Sequence, residues 1–308
     1  MSNDFRALGA ELSNWGRWGA TDRIGTLNHI TSKRRAAAAQ LVRTGKLFDL
    51  AIDISRPGIQ RAAGVRSNPV HLMRLTPLDK IDPLHNTCIA DDHISMPLQS
   101  TTQWDGLGHV GYDDMLYNDV PASSITTLNG SPELSIHQVA AAGIAGRGVL
   151  LDIAALLGVE RMAAGQVVTP EQLEAAEARQ GVIVGAGDIL LLRTGWIRHW
   201  TIDRDAEAYW TGAPGIGLDC ARWLHTREVA AIASDNWGVE SSPADRSGGL
   251  PVHPVLIRDM GMTLGEIFSL DALAADCTAD GVWEFFFVAP PLTVVGGVGT
   301  PVTPLAIK

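Results

Sequence analysis

Three short apolar segments in the middle of the chain constrain its fold most. Each is six residues long and mainly aliphatic: GVLLDI (Gly148–Ile153), DILLLR (Asp188–Arg193) and VAAIAS (Val229–Ser234). Apolar runs of this length are typical of strands buried on both faces of a parallel sheet. Between them, Thr169–Ala176 has the Thr-Pro-Glu start of a helix, and Leu218–Thr226 is a second predicted helix. With a further strand at Val282–Ala289, the pattern predicts an α/β domain with a mixed sheet.

The chain before these segments has a less regular pattern. Ser32–Arg43 is rich in helix formers and predicts a short helix. Phe48–Ser55 alternates apolar and polar residues, which predicts a strand. Arg56–Asp92 contains many Pro, Asn and Asp residues and is predicted to be a long irregular excursion. Ile94–Thr102 is predicted to be a strand that leads into a turn at Gln103–Asp105.

Composition narrows the function classes. The chain has 308 residues with a net charge of −10 and no basic run, so nucleic acid is not an expected partner. No apolar run reaches the roughly 20 residues of a membrane span. Three widely spaced cysteines favour a reducing compartment, and the N-terminus lacks the pattern of a signal peptide. We expect a cytoplasmic protein with an N-terminal extension (1–45) and a single domain (46–308) that acts on a small molecule.

The segment QSTTQWDGLGH (Gln99–His109) brings three polar side chains of different chemistry close together. Gln103 and Asp105 are two apart and share a face if the backbone is extended. Two intervening glycines allow the chain to turn and bring His109 back toward that face. One interpretation is a metal site with oxygen and nitrogen ligands. The other is a hydrogen-bonded turn in which Asp105 caps backbone amides and His109 is a core residue.

Downstream residues can complete the metal-site interpretation, with a structural role for His253 beside its prolines as the alternative. His253 and Glu266 lie thirteen positions apart and are the best-placed further ligands for a metal.

Arg193, at a predicted strand end, binds a substrate carboxylate or forms an ion pair with an acidic neighbour. Asp235, at another strand end, orients a ligand or caps the next turn, and the cap is the favoured interpretation. Trp104, Trp196 and Trp237 are candidates for the wall of a pocket that binds a flat or apolar substrate, with core packing as the alternative.

The same eleven residues resemble the HxGTHxDxxxH signature of the cyclase-like metal-dependent hydrolase family, which includes bacterial kynurenine formamidases and isatin hydrolases. Three of the six defined positions match it: Thr102, Asp105 and His109. The other three differ: Gln99, Thr101 and Gln103. Segments similar to the longer subgroup of the family run through nearly the whole chain, among them WGRWGATDRIGTLNHIT, LLRTGW and PVHPVLIRDMGMTLGE.

The resemblance implies a swivelling β/β/α fold, usually assembled as a homodimer or homotetramer. It assigns the metal-site positions to Asp105, His109, His253 and Glu266. Glutamine replaces both early histidines, so a two-metal site is not expected. The resemblance instead implies one divalent cation, Zn²⁺ or Mn²⁺, held by Asp105, His109 and Glu266 with Gln103.

These observations lead to a hydrolase hypothesis. A metal-activated water opens a cyclic amide or lactone, or cleaves an amide, of a small aromatic or apolar substrate. His253 or His109 acts as the general base, Glu266 belongs to the catalytic set, and Arg193 or a backbone amide holds the oxyanion. One alternative is a metal-independent hydrolase or isomerase that uses Asp105 and His109 as an acid–base pair. Another is a non-catalytic protein that binds a small molecule.

Overall fold

The computed structural model describes residues 5–62, 64–79, 82, 84–243 and 249–308. Within them the strands, numbered in chain order, are β1 (Leu47–Asp49), β2 (Val70–Leu75), β3 (Asp91–Ser95), β4 (Gln103–Asp105), β5 (Met115–Leu116), β6 (Val120–Pro121), β7 (Ala145–Asp152), β8 (Val167–Val168), β9 (Ile189–Arg193), β10 (Gly215–Ile216), β11 (Ala231–Ser234), β12 (Thr263–Glu266), β13 (Glu284–Val288), β14 (Gly299–Pro301) and β15 (Leu305–Ile307).

The helices of the described residues are short. They are α1 (Phe5–Glu11), α2 (Ser32–Ala39), α3 (Ile136–Ala142), α4 (Ile153–Leu156), α5 (Pro170–Gln180), α6 (Arg198–Thr201), α7 (Ala206–Tyr209), α8 (Cys220–Thr226), α9 (Val252–Pro254) and α10 (Asp271–Asp280). Helix α9 continues into a π-helical turn at Val255–Asp259, and 3₁₀ turns lie at Gly25–His29, Tyr117–Asp119 and Ala122–Ser124. In the part of the chain that is described, none of these helices has the length and apolar character needed to cross a bilayer.

One large mixed sheet organises the molecule. Among the described residues it has nine strands, in the order β1-β15-β13-β7-β9-β11-β12-β4-β14. The four strands β7, β9, β11 and β12 are parallel, and antiparallel strands flank them on both sides. The architecture is the mixed α/β fold that the sequence predicts.

The central strands are apolar throughout because both faces of the sheet are covered. Successive side chains of a strand point to opposite faces. In β9, Leu190 and Leu192 therefore pack in a core with residues of α5 and α8. Ile189 and Leu191 pack in a second core with residues of α3 and α10.

Strand β4 lies between β12 and β14, and its register determines which side chains meet. Gln103 pairs with Glu266, and Trp104 pairs with Gly265. A Cβ atom on Gly265 would lie only 2.5 Å from the Cβ of Ala233 and 2.8 Å from the Trp104 ring, so the two strands approach this closely only with glycine there. The pairing places two carboxylates, of Asp105 and Glu266, on adjacent strands.

The first hundred residues differ from the sequence prediction in several places. The predicted turn Gln103–Asp105 is strand β4, and the strand predicted at Phe48–Ser55 is confined to β1. The excursion Arg56–Asp92 contains strand β2, which pairs with β3 in an antiparallel hairpin. Both hairpin strands are almost wholly exposed. The sequence pattern misses this hairpin because neither face is apolar enough to produce an alternation.

Residues before β1 pack against the body of the protein. Leu12 belongs to the core on one face of the sheet, and Leu27 and Ile30 belong to the core on the other. The Thr26 hydroxyl donates to the Ala230 carbonyl at 2.7 Å. The domain boundary at residue 45 stays a prediction.

Candidate active site

Adjacent strands β4 and β12 hold the centre of the site. The Gln103 amide nitrogen donates to Glu266 Oε2 at 2.8 Å and to Asp105 Oδ1 at 3.2 Å. All three side chains are buried. One neutral amide thus holds two acidic groups beside each other.

His109 returns to this group through a tight turn after β4. Its backbone N–H donates to the Gly106 carbonyl at 3.0 Å. Its ring Nε2 lies 3.7 Å from Asp105 Oδ2. The turn packs closely, since a Cβ atom on Gly108 would lie 2.8 Å from the Ser131 hydroxyl. Glycine is needed here because of close packing.

His253 reaches the group from α9. Its Nε2 lies 3.2 Å from Glu266 Oε1, and its Nδ1 contacts Glu240 Oε1. Glu240 also accepts the backbone N–H groups of Val252 and His253, each at 2.9 Å. The buried Glu240 carboxylate therefore fixes the imidazole so that Nε2 faces the acidic pair. Glu240 is not among the predicted site residues, although it is the last residue of ASDNWGVE, a further segment similar to the family.

Three residues have the spacing of metal ligands. One ligand atom from each of Asp105, His253 and Glu266 lies within 4.8 Å of the other two. This set differs from the predicted one, because it contains His253 in place of His109. Among the described residues, Gln103 Oε1 and Asp105 Oδ2 are buried with no hydrogen-bond partner. Buried oxygen atoms without partners are costly, and a bound cation would satisfy them.

Burial and charge shift the pKa values of the cluster. Burial raises the pKa of Asp105, and the neighbouring Glu266 charge raises it further. Burial alone would lower the pKa of His253, but hydrogen bonds to Glu240 and Glu266 outweigh it and raise the pKa. Burial lowers the pKa of His109, with Asp105 opposing the shift. Without a cation, the raised pKa makes His253 the positive partner of the acids, and the lowered pKa of His109 favours its neutral imidazole.

A cavity of about 350 Å³ opens beside the cluster. His109, His253 and Glu266 line it together with Trp210 and Trp237. Its other lining residues are Gln60, Arg61, Gly64, Val65, Arg66, Val110 and Leu250. The volume lies within the range of small-molecule sites.

Of the three tryptophans predicted to bind substrate, only Trp237 lines the cavity. Trp104 is not among the lining residues: it is fully buried, with its ring packed against Phe268 and Phe287. Trp196 is not among the lining residues either: its indole N–H donates to the Tyr209 carbonyl at 2.8 Å, and it packs in the same apolar cluster as Trp210 and Trp237. Trp104 lies between Gln103 and Asp105 in a strand, so its ring must point to the opposite face.

Arg193 does not reach the cavity. Its guanidinium donates to Asp152 Oδ1 at 2.9 Å and to Asp271 Oδ1 at 2.8 Å. The ion-pair alternative is therefore the one observed, and a substrate-binding role is not. The Asp235 carboxylate accepts the backbone N–H groups of Thr194 at 2.9 Å and Gly195 at 2.7 Å, so it caps the turn after the neighbouring strand β9 and not the next turn of its own segment.

Replacing Arg193 tests this structural role. Arg193→Met leaves the buried Asp152 without its cation and Asp271 with Arg198 as its cation, so we expect the free energy of unfolding to fall by about 3 kcal/mol. KM for any substrate should not change. Arg198→Met is the control, because Arg198 also contacts Asp271 but is more exposed and should cost less. Urea denaturation with parallel kinetics checks both; a raised KM with unchanged stability would restore the substrate-binding role.

Gln99, the first residue of the predicted motif, lies against β14 at the edge of the sheet. Its side-chain nitrogen is 2.6 Å from the point where a Cβ atom on Gly299 would lie. It is not among the residues that line the cavity.

Comparisons with known proteins agree with this fold. The family model described as "Putative cyclase" matches residues 28–241. A crystal structure of a novel cyclase is 40% identical, covers 96% of this chain and 99% of its own, and superposes with a TM-score of 0.88. Isatin hydrolase A from Ralstonia solanacearum is 21% identical, with 90% and 97% coverage and a TM-score of 0.64. The Labrenzia aggregata isatin hydrolase A, bound to benzyl benzoate, is 20% identical, with 90% and 98% coverage and a TM-score of 0.60. No curated protein sequence matches the chain.

Fold and site together define a mixed α/β protein with a buried acid–histidine cluster beside a small-molecule cavity. The chain belongs to the cyclase family. The resemblance drawn from its motifs is confirmed.

Proposed function

We propose that this protein is a metal-dependent hydrolase that opens a lactone or cyclic amide, or cleaves an amide, of a small substrate. The observation that carries the proposal is the buried cluster of Asp105, His253 and Glu266, whose ligand atoms lie within 4.8 Å of one another beside the cavity. The similarity to isatin hydrolases supports hydrolysis as the class of reaction.

The residues present fit a divalent cation. Two carboxylates and one imidazole form a mixed oxygen and nitrogen set that suits Zn²⁺ or Mn²⁺. Gln103 Oε1 and Asp105 Oδ2, which lack partners among the described residues, give the set two free acceptors. Glu240 holds the His253 ring by Nδ1, which is the usual arrangement behind a histidine ligand.

The chain's own residues then have separate roles. A cation bound here supplies a water of lowered pKa and polarises the substrate carbonyl. Asp105, Glu266 and His253 hold the cation, and Gln103 keeps the two carboxylates in place. His109 lines the cavity as a neutral imidazole, so it takes a proton from the attacking water and returns it to the leaving nitrogen or oxygen. The proposal thus assigns the metal position to His253 and the general base to His109.

Metal removal tests the proposal. Chelator-treated protein should lose hydrolysis of isatin and of dihydrocoumarin by about 100-fold or more, because the unactivated water is a poor nucleophile. One equivalent of Zn²⁺ or Mn²⁺ per chain should restore the rate. Initial rates and elemental analysis, run on the same samples, give both quantities.

A second candidate function rests on the Asp105–His109 pair, 3.7 Å apart, acting as a metal-independent acid and base. Full turnover in chelated protein that is lost in either single variant would support this second function and contradict the first. Binding of the ring compounds without turnover, with or without metal, would support a non-catalytic binder.

A further inference from the structure

We propose that the substrate carries a carboxylate on a flat apolar body before it is opened, and that Arg61 and Arg66 bind that carboxylate in the cavity. This inference rests on the proposed function, since it identifies the substrate class of the same site.

Arg61 and Arg66 are placed at the cavity beside the buried cluster. Arg61 and Arg66 both lie in the segment between β1 and β2, and both line the cavity together with His109 and Glu266. The charge of Arg66 acts on Asp105 and on His109. Both arginines therefore border the cavity that holds the cluster, and the charge of Arg66 reaches two of the cluster's side chains.

Arg61 and Arg66 also lack an acidic partner among the described residues. Across the described ranges, neither guanidinium has a carboxylate within ion-pairing distance. Arg66 donates one hydrogen bond, of 2.9 Å, to the Gln99 backbone carbonyl, which holds the side chain at the cavity. By contrast, Arg193 binds two acids and Arg227 binds Glu177, whereas the partly buried Arg35, away from the cavity, donates to two backbone carbonyls. Two arginines without acids, in a chain with a net charge of −10, make a local anion site.

The aromatic and apolar residues that line the cavity indicate the shape of the uncharged part of the substrate. Trp210 and Trp237 stack with ring centroids 5.7 Å apart and an angle of 28° between the planes. Each indole N–H is bound by a backbone carbonyl, of Ile59 and Gly212 respectively, so the rings are held in place. Apolar side chains, including Val110, complete the wall. A rigid aromatic wall favours a flat ring, with the carboxylate as its one charged group.

A carboxylate at the arginines could also come from the reaction itself, since ring opening creates one. That new carboxylate forms at the cluster, where the scissile carbonyl is attacked. The arginines are therefore assigned to an acid that the substrate already carries. Neutral and acidic substrates distinguish the two sources.

Matched substrates give the first test. Isatins that bear a carboxylate at ring positions 5, 6 or 7 are compared with their methyl esters and with isatin. We expect kcat/KM for at least one acid to exceed that of its ester by about 10-fold or more, the effect of a charge-assisted hydrogen bond. Arg61→Gln should remove this preference by lowering kcat/KM for the acid about 10-fold more than for its ester, and Arg74→Gln, an exposed arginine in β2, should keep the preference. Equal kcat/KM for every acid and ester would overturn the inference while leaving metal-dependent hydrolysis intact.

Binding without turnover gives the second test. Quenching of tryptophan fluorescence by benzoate is compared with quenching by benzamide, which has the same size and no charge, in metal-free and metal-loaded protein. Benzoate should bind about 10-fold tighter at low salt, and Arg61→Gln and Arg66→Gln should each weaken it. Arg61→Lys should keep part of the effect. Arg74→Gln, an exposed arginine in β2, is the matched control and should bind benzoate as the wild type does.

The two tests separate the two proposals. If no substrate is hydrolysed in a metal-dependent way but benzoate binds through the arginines, the proposed function fails and the anion site stands. If benzoate and benzamide bind equally, or their difference survives both glutamine variants, the anion site is wrong.

Discussion

Asp105→Asn is expected to leave the protein folded, to abolish retention of a divalent cation and to lower the rate of ring opening by about three orders of magnitude, since the water is then no longer activated. Asparagine has the shape of aspartate but lacks its charge. Its oxygen can still accept the Gln103 hydrogen bond, now made at 3.2 Å to Oδ1. What disappears is one of the two negative ligands of the cluster. Elemental analysis and initial rates on the same preparation measure both effects.

Stability provides an internal check on this variant. Burial and Glu266 raise the pKa of Asp105 from 3.8 to about 6 in the folded state. A raised acid pKa means that the folded state holds the proton more tightly, so metal-free protein loses stability as the pH rises through this interval. Asp105→Asn should not show that loss. Asp91→Asn, an exposed acid in β3, is the control and should match the wild type in metal, rate and stability. Full metal content in Asp105→Asn would contradict the site assignment.

His109→Gln is expected to lower kcat by about 10²–10⁴-fold while the metal content stays at the wild-type level. The reason is that His109 lies outside the group of three ligands but lines the cavity as a neutral imidazole. Glutamine can hydrogen-bond a water but cannot take its proton. Added imidazole should restore part of the rate.

The same variant distinguishes two ligand sets. If His109→Gln loses the metal, the set predicted from the sequence, with His109 as a ligand, is correct and the one proposed from the structure is wrong. His137→Gln is the control, because His137 is a partly buried histidine hydrogen-bonded to Ser135, outside the cavity. It should retain both metal and rate.

The parallel core of the fold could be predicted because its signal is local and strong. Strands β7, β9 and β11 must be apolar on both faces, and helix α5 begins with a capping box at Thr169. Strand β4 could not be predicted in the same way. It has three residues, too few to show the two-residue alternation of a strand. It also pairs with β12, which is 158 positions or more away in sequence.

The sequence predicts the chemistry of the candidate site, a cluster of acids and histidines, but only some of the residues that form it. Asp105, His253 and Glu266 follow from the family resemblance, and the register of β4 and β12 explains why they meet. Arg61 carries no motif, and it reaches the cavity only through the path of an irregular segment, as Glu240 reaches His253. The burial of Trp104 follows from alternation along a strand, which places Gln103 and Asp105 on one face and the residue between them on the other.

The pairing of β4 with β12 has a consequence for engineering. Two carboxylate groups sit on hydrogen-bonded neighbouring strands in the sheet, whereas Arg61, Trp210 and Trp237 sit on segments that connect elements. Libraries that randomise those connecting positions should alter which rings are accepted without disturbing the reacting centre. Such a scaffold is well suited to acquiring new substrates by a few mutations at a time.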